Sequence, residues 1–584
     1  MSWLPSTVLN RINEKNCITF LVLTFIVLAA LIAAVPYNPA LDLADATTND
    51  IWIEHYSDGV YHIPWSEWTN NHTQSVVVEY QGEYVVVNEK GPGHVMAMVL
   101  FRAVGLESFF AYTMAGLAVL GTFMLGKRLF SWPVGFIAAL LVMFNLTVVV
   151  MWHRYYWTDA STMHFLVFSV WLFVEGIYQY NGKSLDPKVT GYASWKDKAL
   201  GLGLGMLAGF FFGMSVSTRY PTALLIVIFP MFILGFYLTK IWPDLRKKDI
   251  LPAIKRSMPA IFQLTVFGLG LLVVLVPLMQ YNTAYFGGPF NSGYDATLVF
   301  KFDPAVGLES RNTSTIWTGD LFSYVSVAVG NLIKLAPMFL TRMPALVFLP
   351  IGLYCMRKKK IELAMLCAWI GINFYTYLSL NWVDMYARTD LMPWEPRYWM
   401  PSLPAIAIIG GLGIYRLSGW LANRVVQKKG FRESDRRRFK VMFSGAIAGA
   451  LILCSAVPAI GYLQNPEVRE GPIVPPSQQA ILVTTDQLLA NPLDYVGKAV
   501  LVNNAEVTGK SFSMMDIRSV NYANPDTVAV SFIDYPQGTL PDYSVGQNVA
   551  VRGVFTKAPT PAGAPPIYYL GVKYGTQDYT RLLP

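Results

Sequence analysis

Residues able to do chemistry are sparse in this sequence and fall into a few short stretches. Ser57–His62 reads SDGVYH and Glu89–His94 reads EKGPGH; later come HRYYWTDAS (His153–Ser161), STRYP (Ser217–Pro221) and PWEPRYWMP (Pro393–Pro401). The candidates among them are the carboxylates Asp58, Glu89 and Asp159, the cations Lys90, Arg219 and Arg397, the imidazole of His62 and the phenol of Tyr398. A positioned carboxylate can take a proton from a hydroxyl. A guanidinium can grip a phosphate through two parallel hydrogen bonds, which an ammonium cannot. His55, His62, His94 and His153 have acidic residues near them in the chain, so a divalent metal ion is a further candidate ligand, although no His-x3-His or Cys-His spacing is present.

The elements that must position these groups are helices in a membrane. The 584 residues are 54% hydrophobic and only 14% charged, and the mean hydropathy of +0.39 is far above that of soluble domains. Apolar runs near the roughly 20 residues that cross a bilayer core recur along the chain. About eleven can be drawn, over 17–36, 108–126, 131–151, 161–180, 199–216, 220–239, 259–280, 338–356, 361–380, 399–417 and 441–463. The first reads as an uncleaved anchor, because its apolar region is longer than that of a signal peptide. With a cytoplasmic N-terminus, the short inner segments carry 27 Lys and Arg and the longer outer segments far fewer, which fixes the orientation. The net charge of +8 belongs to that asymmetry and not to a nucleic-acid footprint. All four cysteines (Cys17, Cys355, Cys367, Cys454) fall in or beside spans and suggest neither disulfides nor a metal knuckle.

Every stretch named above lies on the outer side in this arrangement, at the end of a span or in the first outer loop, 37–107. Charge is costly near a bilayer, so this shared sidedness marks them as a set. Plainer readings stand beside the chemical ones. Asp58 would be a solvated loop carboxylate, Glu89 and Lys90 a pair anchoring a turn at the headgroups, and Asp159 the N-cap of a helix beginning near Ala160. Arg219 and Arg397, each followed by Tyr, would be snorkelling cations in an aromatic belt. Asn71 and Asn312 head glycosylation sequons on outer segments, whereas Asn145-Leu-Thr lies within a span.

The chain divides into three regions: a membrane domain over 1–464, a Pro-rich linker over 465–480 and a small domain over 481–584. In the last, GKAVLVNNAEVTG, TVAVSFID, GQNVAVRGVFTK and IYYLGVKY read as strands between Gly, Asn and Pro turns. The pattern is similar to that of an OB-type barrel placed outside the cytoplasm. Such barrels bind oligonucleotides or oligosaccharides, but from residue 465 onward the chain has 8 basic against 10 acidic residues, so nucleic acid is not an expected partner.

The acidic first outer loop, the Lys-Gly-Pro turn, the single Asp159 and the late Arg397-Tyr398 resemble the C-type glycosyltransferase (GT-C) fold. The closest branch is that of the protein O-mannosyltransferases and the aminoarabinose transferase, and the resemblance covers roughly residues 10–465. SDGVYH resembles that branch's first-loop Asp motif, and EKGP its Glu-Lys-Pro-Pro motif, with Gly91 in place of one Pro. The resemblance implies transfer of a sugar from a polyprenyl-phosphate donor to a hydroxyl of a protein, lipid or glycan, at the outer face of the cell membrane. It makes Asp58 the first candidate for the base and Glu89 the second, places Lys90 at the phosphate, and gives Asp159, Arg219, Arg397, Tyr398 and His62 substrate-binding roles. An oligosaccharyltransferase is less expected, because no Trp-Trp-Asp-Tyr-Gly run is present. A transporter or lipid flippase is the rival class, and it would show similar halves and ionisable residues at mid-span. A membrane scaffold presenting the β-domain is a third reading, for which the outer charges would be unnecessary.

Overall fold

The computed structural model describes residues 12–35, 44–64, 75–154, 156–182, 194–247, 250–293, 325–379, 395–429, 431–432, 435–464, 481–495, 498–511, 514–519, 528–533, 548–557, 568–573 and 579–582. The sequon residues Asn71 and Asn312 and the linker over 465–480 lie outside these.

Hydropathy dictates most of the architecture. The membrane domain consists of α1 (Glu14–Ala33), α2 (Ala44–Ser57), α3 (Gly93–Ala103), α4 (Phe110–Leu129), α5 (Trp132–Met143), α6 (Leu146–His153), α7 (Thr158–Tyr180), α8 (Trp195–Thr218), α9 (Ile228–Arg246), α10 (Ile250–Phe286), α11 (Val325–Arg342), α12 (Leu349–Met356), α13 (Lys360–Leu378), α14 (Leu403–Lys429) and α15 (Asp435–Gln464). Among the described residues nine helical stretches are long and apolar enough to cross a membrane. Two bent pairs, α5 with α6 and α11 with the turn and helix after it, bring the number to eleven if each is one span. The protein is thus a multi-span helical membrane protein, in agreement with the spacing of apolar runs.

Asn145 explains how the two bends coexist. It caps α6, accepting hydrogen bonds from the backbone of Thr147 at 3.0 Å and Val148 at 3.4 Å. Its Nδ2 donates at 2.7 Å to the carbonyl of Arg342, the last residue of α11 before the second bend. Backbone groups freed at a break in one bent pair are therefore met by the other, as an apolar medium requires.

α7 lies at the centre of the domain, with nearly every residue buried. Behind it α8 and α10 meet backbone to backbone: a methyl group on Gly209 would stand 1.9 Å from the Phe267 carbonyl oxygen, and one on Gly270 the same distance from that of Met206. Small residues allow this approach where lipid gives helices no hydrophobic reason to associate.

Between α2 and α3 the chain forms a small antiparallel sheet of β1 (Ile63–Pro64), β2 (Ser75–Tyr80) and β3 (Glu83–Asn88), in the order β1-β3-β2. The β2–β3 turn is made by Gln81 and Gly82, with φ of 54° and 85°, the left-handed geometry that a two-residue hairpin loop demands. Val78, Val85 and Val87 pack with Phe286, seating the hairpin on the end of α10. The Val-rich run before Lys90 is thus a strand that delivers the lysine to a fixed place.

The C-terminal region comprises β4 (Ile481–Val483), β5 (Ala499–Ser511), β6 (Met514–Ser519), β7 (Val528–Ile533), β8 (Asn548–Lys557), β9 (Tyr568–Lys573) and β10 (Tyr579–Leu582), with two short helices after β4. β5 pairs with β6, β6 with β7, β7 with β9, β9 with β8 and β8 again with β5, so the pairings form a ring. Only β7–β9 is parallel within it. Val500, Val502, Ala505, Val507, Val530 and Val551 are fully buried, so β5, β7 and β8 each turn apolar residues inward.

Candidate active site

Four segments distant in sequence converge at one end of the helices. The helix α7 starts at Thr158, with Asp159 in its first turn and Trp157 as its N-cap residue. Asp159 is therefore not the cap; its buried carboxylate instead meets Arg219, the residue that ends α8, with Oδ1 2.7 Å from Nη2. Arg219 also donates from Nε to Thr158 Oγ1 at 3.3 Å. Arg397, in the 3-10 turn Glu395–Ser402 that leads into α14, brings Nε to 4.0 Å from Asp159 Oδ2.

Aromatic rings hold the guanidiniums flat. Arg397 Cζ lies 3.9 Å from the centroid of Trp157 and 4.7 Å from that of Tyr398, and Nη2 donates to the Tyr398 hydroxyl at 2.7 Å. The Tyr398 ring also sits 4.8 Å from Arg219 Cζ, so one phenol touches both arginines. Both guanidiniums are thus engaged within the protein, by Asp159 and by these rings.

The turn after Lys90 packs against the segment that carries Arg219. A methyl group on Gly91 would lie 2.0 Å from the Ser217 carbonyl oxygen, and one on Gly93 would lie 2.8 Å from the Ser217 carbonyl carbon. The Gly-Pro-Gly turn therefore rests directly on the chain two residues before Arg219, and position 91 tolerates nothing larger than hydrogen. This gives the physical reason for glycine where the resembled motif has proline. Lys90 is buried, and its backbone N–H donates to Asn88 Oδ1 at 2.9 Å. From the first turn of α3, His94 reaches Ser161 through Nδ1 at 2.8 Å, tying this arm to α7 two residues after Asp159. Burial, then the neighbouring Lys90 cation, push the His94 pKa down to about 3, against a weaker upward pull from the Tyr156 backbone. His94 is neutral at physiological pH and serves as a hydrogen-bonding strut.

Glu89 is half-buried, and a methyl group on Gly293 would come 2.3 Å from its carbonyl oxygen, so the end of the Gly-Gly-Pro stretch lies over it. Asn282 links that stretch to the site, accepting from Tyr220 Oη at 2.9 Å and donating to the Pro289 carbonyl at 3.3 Å. Asp58 and His62 stand further out. Asp58 is exposed just beyond α2 and is followed by Gly59 at φ 77°. His62 Nδ1 is 3.0 Å from Tyr285 Oη, in an aromatic group with Tyr80. The link inward passes through Tyr56, whose hydroxyl donates to that of Tyr281 at 3.3 Å, while Tyr281 donates to the Asn88 carbonyl at 3.4 Å. The structure thus unites Asp159, Arg219, Arg397 and Tyr398, rests the turn that follows Glu89 and Lys90 on Ser217, and leaves Asp58 exposed and His62 beside Tyr285. Trp157, Ser161 and the Tyr56–Tyr281 pair are contributors that sequence reading missed, and His94, read there only as a possible metal ligand, instead bonds Ser161.

Among the described residues no three His, Cys, Asp or Glu side chains form a group able to hold a metal ion. What the arrangement offers is more cations than carboxylates. Arg219 and Arg397 flank the buried carboxylate of Asp159, in surroundings where charge is poorly screened, and Lys90 is buried just before the turn that packs on Ser217. Guanidiniums so placed can bind an anion such as phosphate through charge-assisted hydrogen bonds.

A second acidic group lies on α2, where Asp50 faces Tyr156, Glu107 and Glu54. Burial first, and the Glu107 and Glu54 carboxylates, raise its pKa above the usual carboxylate range, opposed by a hydrogen bond with Tyr156 and by Arg102.

No protein-family model and no curated protein sequence matches the chain. Among solved structures it is similar to ArnT from Cupriavidus metallidurans bound to undecaprenyl phosphate, with 15% identity and a TM-score of 0.38 over 78% of this chain and 76% of that one. It is also similar to the apo oligosaccharyltransferase of Archaeoglobus fulgidus, with 14% identity and a TM-score of 0.45 over 75% of this chain and 56% of that one. The oligosaccharyltransferase AglB from the same organism, in complex with an inhibitory peptide and a dolichol-phosphate, gives 15% identity and a TM-score of 0.43 over 76% of this chain and 55% of that one. The chain spans little more than half the length of these oligosaccharyltransferases.

Two outcomes are expected. Gly91→Ala forces its methyl group into the Ser217 carbonyl and lowers stability by about 1–3 kcal/mol, whereas Gly203→Ala, which meets nothing within 4 Å, does not; thermal unfolding in detergent compares them. The raised pKa of Asp50 means that its contribution to stability is full below the ordinary carboxyl pKa and is lost as pH rises through the raised value. Asp50→Asn therefore raises the melting temperature at neutral pH, and the advantage disappears in acid.

Proposed function

We propose that this chain is a membrane glycosyltransferase that moves a sugar from a polyprenyl-phosphate donor to a hydroxyl acceptor at the outer face of the membrane. The observation that carries the reading is the pairing of Arg219 and Arg397 with the buried carboxylate of Asp159 at helix ends, beside the turn that follows Lys90. A lipid-linked phosphate reaches that depth, with its chain in the bilayer and its charge at the interface. The ligand class of the resembled structures, undecaprenyl phosphate and dolichol-phosphate, comes over to this chain as part of the proposal.

In this reading the acceptor hydroxyl attacks the anomeric carbon. The new C–O bond forms as the bond to the phosphate oxygen breaks, and the lipid phosphate leaves with the electron pair. The hydroxyl proton passes to a carboxylate of the first outer segment, with Asp58 first and Glu89 second. Lys90, Arg219 and Arg397 stabilise the negative charge that grows on the leaving phosphate. His62 and Tyr398 border the substrate. Gly59, whose positive φ turns the chain directly after Asp58, leaves the backbone there open to a substrate.

The N-terminus is cytoplasmic and the site external, as the distribution of Lys and Arg supports. The C-terminal region, over 481–584, is an OB-like barrel outside the cytoplasm, a reading supported by its ring of five paired strands. Transport is the weaker alternative, because the joined charges stand in the first turn of α7, at the end of α8 and ahead of α14, away from mid-span.

The test is transfer by the purified protein in nanodiscs, given labelled polyprenyl-phosphate sugars and candidate acceptors. Lys90→Ala and Arg397→Lys are expected to lose most transfer. Asp58→Asn is expected to lose about 10²–10⁴-fold in rate while still binding donor, the scale of a missing general base. Unchanged rates in all three variants would overturn the site assignment.

A further inference from the structure

Away from the charged group, α1, α5 and α15 fail to close against one another. They leave a cavity of about 540 Å³, within the size range of small-molecule sites, whose walls include Phe20, Trp132, Phe136 and Ile452. It opens sideways between helices that carry exposed Phe20, Leu23 and Val27 on one side and Leu453 and Val457 on the other, the surface that faces lipid chains. Along α15 it runs from Arg437 to Ile452, about 22 Å at the helical rise, more than the roughly 15 Å of one leaflet's hydrocarbon.

The floor and the mouth differ in chemistry. Gly445 and Gly449 line the floor, and a methyl group built on either meets nothing within 4 Å, so the space above them is open. At the mouth stand Arg437, which is exposed, and Lys440, whose Nζ lies 3.4 Å from the centroid of the Tyr415 ring. Neither is engaged by the ion pair of the first turn, which joins Asp435 to Arg438. A groove with apolar walls for its length and two cations at the bilayer surface matches one kind of molecule.

We propose that this groove binds an anionic phospholipid, its phosphate between Arg437 and Lys440 and one acyl chain lying over Gly445 and Gly449. The lipid fills the gap between α1 and α15, two helices that are mostly exposed along their apolar lengths. The site is separate from the proposed transfer reaction and stands or falls without it.

Native mass spectrometry of the full chain, released from nanodiscs of equal phosphatidylglycerol and phosphatidylcholine, tests this. The expected result is a single retained lipid with a preference for phosphatidylglycerol on the order of tenfold or more, the scale of two basic side chains at a lipid surface. Arg437→Gln with Lys440→Gln removes the preference. Gly445→Leu with Gly449→Leu, which adds side chains only to open space, removes the retained lipid while the basic pair remains, and an unchanged melting temperature shows that it folds. Equal retention of the two lipids by the wild type would overturn the proposal, as would retention unaffected by either double variant. Lipid binding gained only on deletion of residues 2–10 would also overturn it, since the chain's own N-terminus would then be the occupant.

Discussion

A buried carboxylate organises the functional end of this protein. Asp159 is 1% exposed, and with one guanidinium at 2.7 Å and a second at 4.0 Å it allows two arginines to lie inside a membrane domain. The cost of burying such charges is several kcal/mol each unless they are paired, so α7, the end of α8 and the turn before α14 must meet in one arrangement. The Gly-Pro-Gly turn, which follows the buried Lys90, rests its backbone on Ser217, two residues before Arg219. In the proposed function, the two guanidiniums around Asp159 give an incoming anion a field already set to hold it.

Much of this was legible in the sequence, for reasons that differ from residue to residue. Apolar runs of bilayer length give the spans, since a helix satisfies its own backbone in lipid. Asp159, Arg219 and Arg397 stood out because charge is rare in such a chain, and Tyr398 because it follows one of them. Their pairing was not legible, because the contacts of Asp159 join it to residues in helix ends far along the chain, at 219 and 397. The role of Gly91 was equally hidden, as only the approach of another backbone shows why no Cβ fits. Asp58 illustrates the reverse case: a motif-like stretch marks it, while the fold places it at an exposed rim. The bends after α5 and α11 left no mark on hydropathy, since each interrupts an apolar run only briefly and is tied by Asn145.

The same helix serves both ends of the molecule. At its C-terminal end α15 presents Tyr462, which accepts from Arg154 Nε at 2.9 Å and lies 3.3 Å from His153 Nδ1, just ahead of the segment that carries Trp157 and Asp159. At its N-terminal end it lines the groove with Arg437, Lys440 and two open glycines. Tyr462 thus joins α15 to the end of α6, shortly before the segment that carries Asp159.

The central claim, that the buried cations form a phosphate site, is tested most directly by calorimetric titration of the purified protein with a polyprenyl phosphate that carries no sugar. The account predicts saturable binding by the wild type, at least tenfold weaker binding by Arg397→Met, about 1.4 kcal/mol at 25 °C, and tighter or equal binding by Asp159→Asn provided that variant stays folded. Equal affinity of the wild type and Arg397→Met for the lipid phosphate would contradict it.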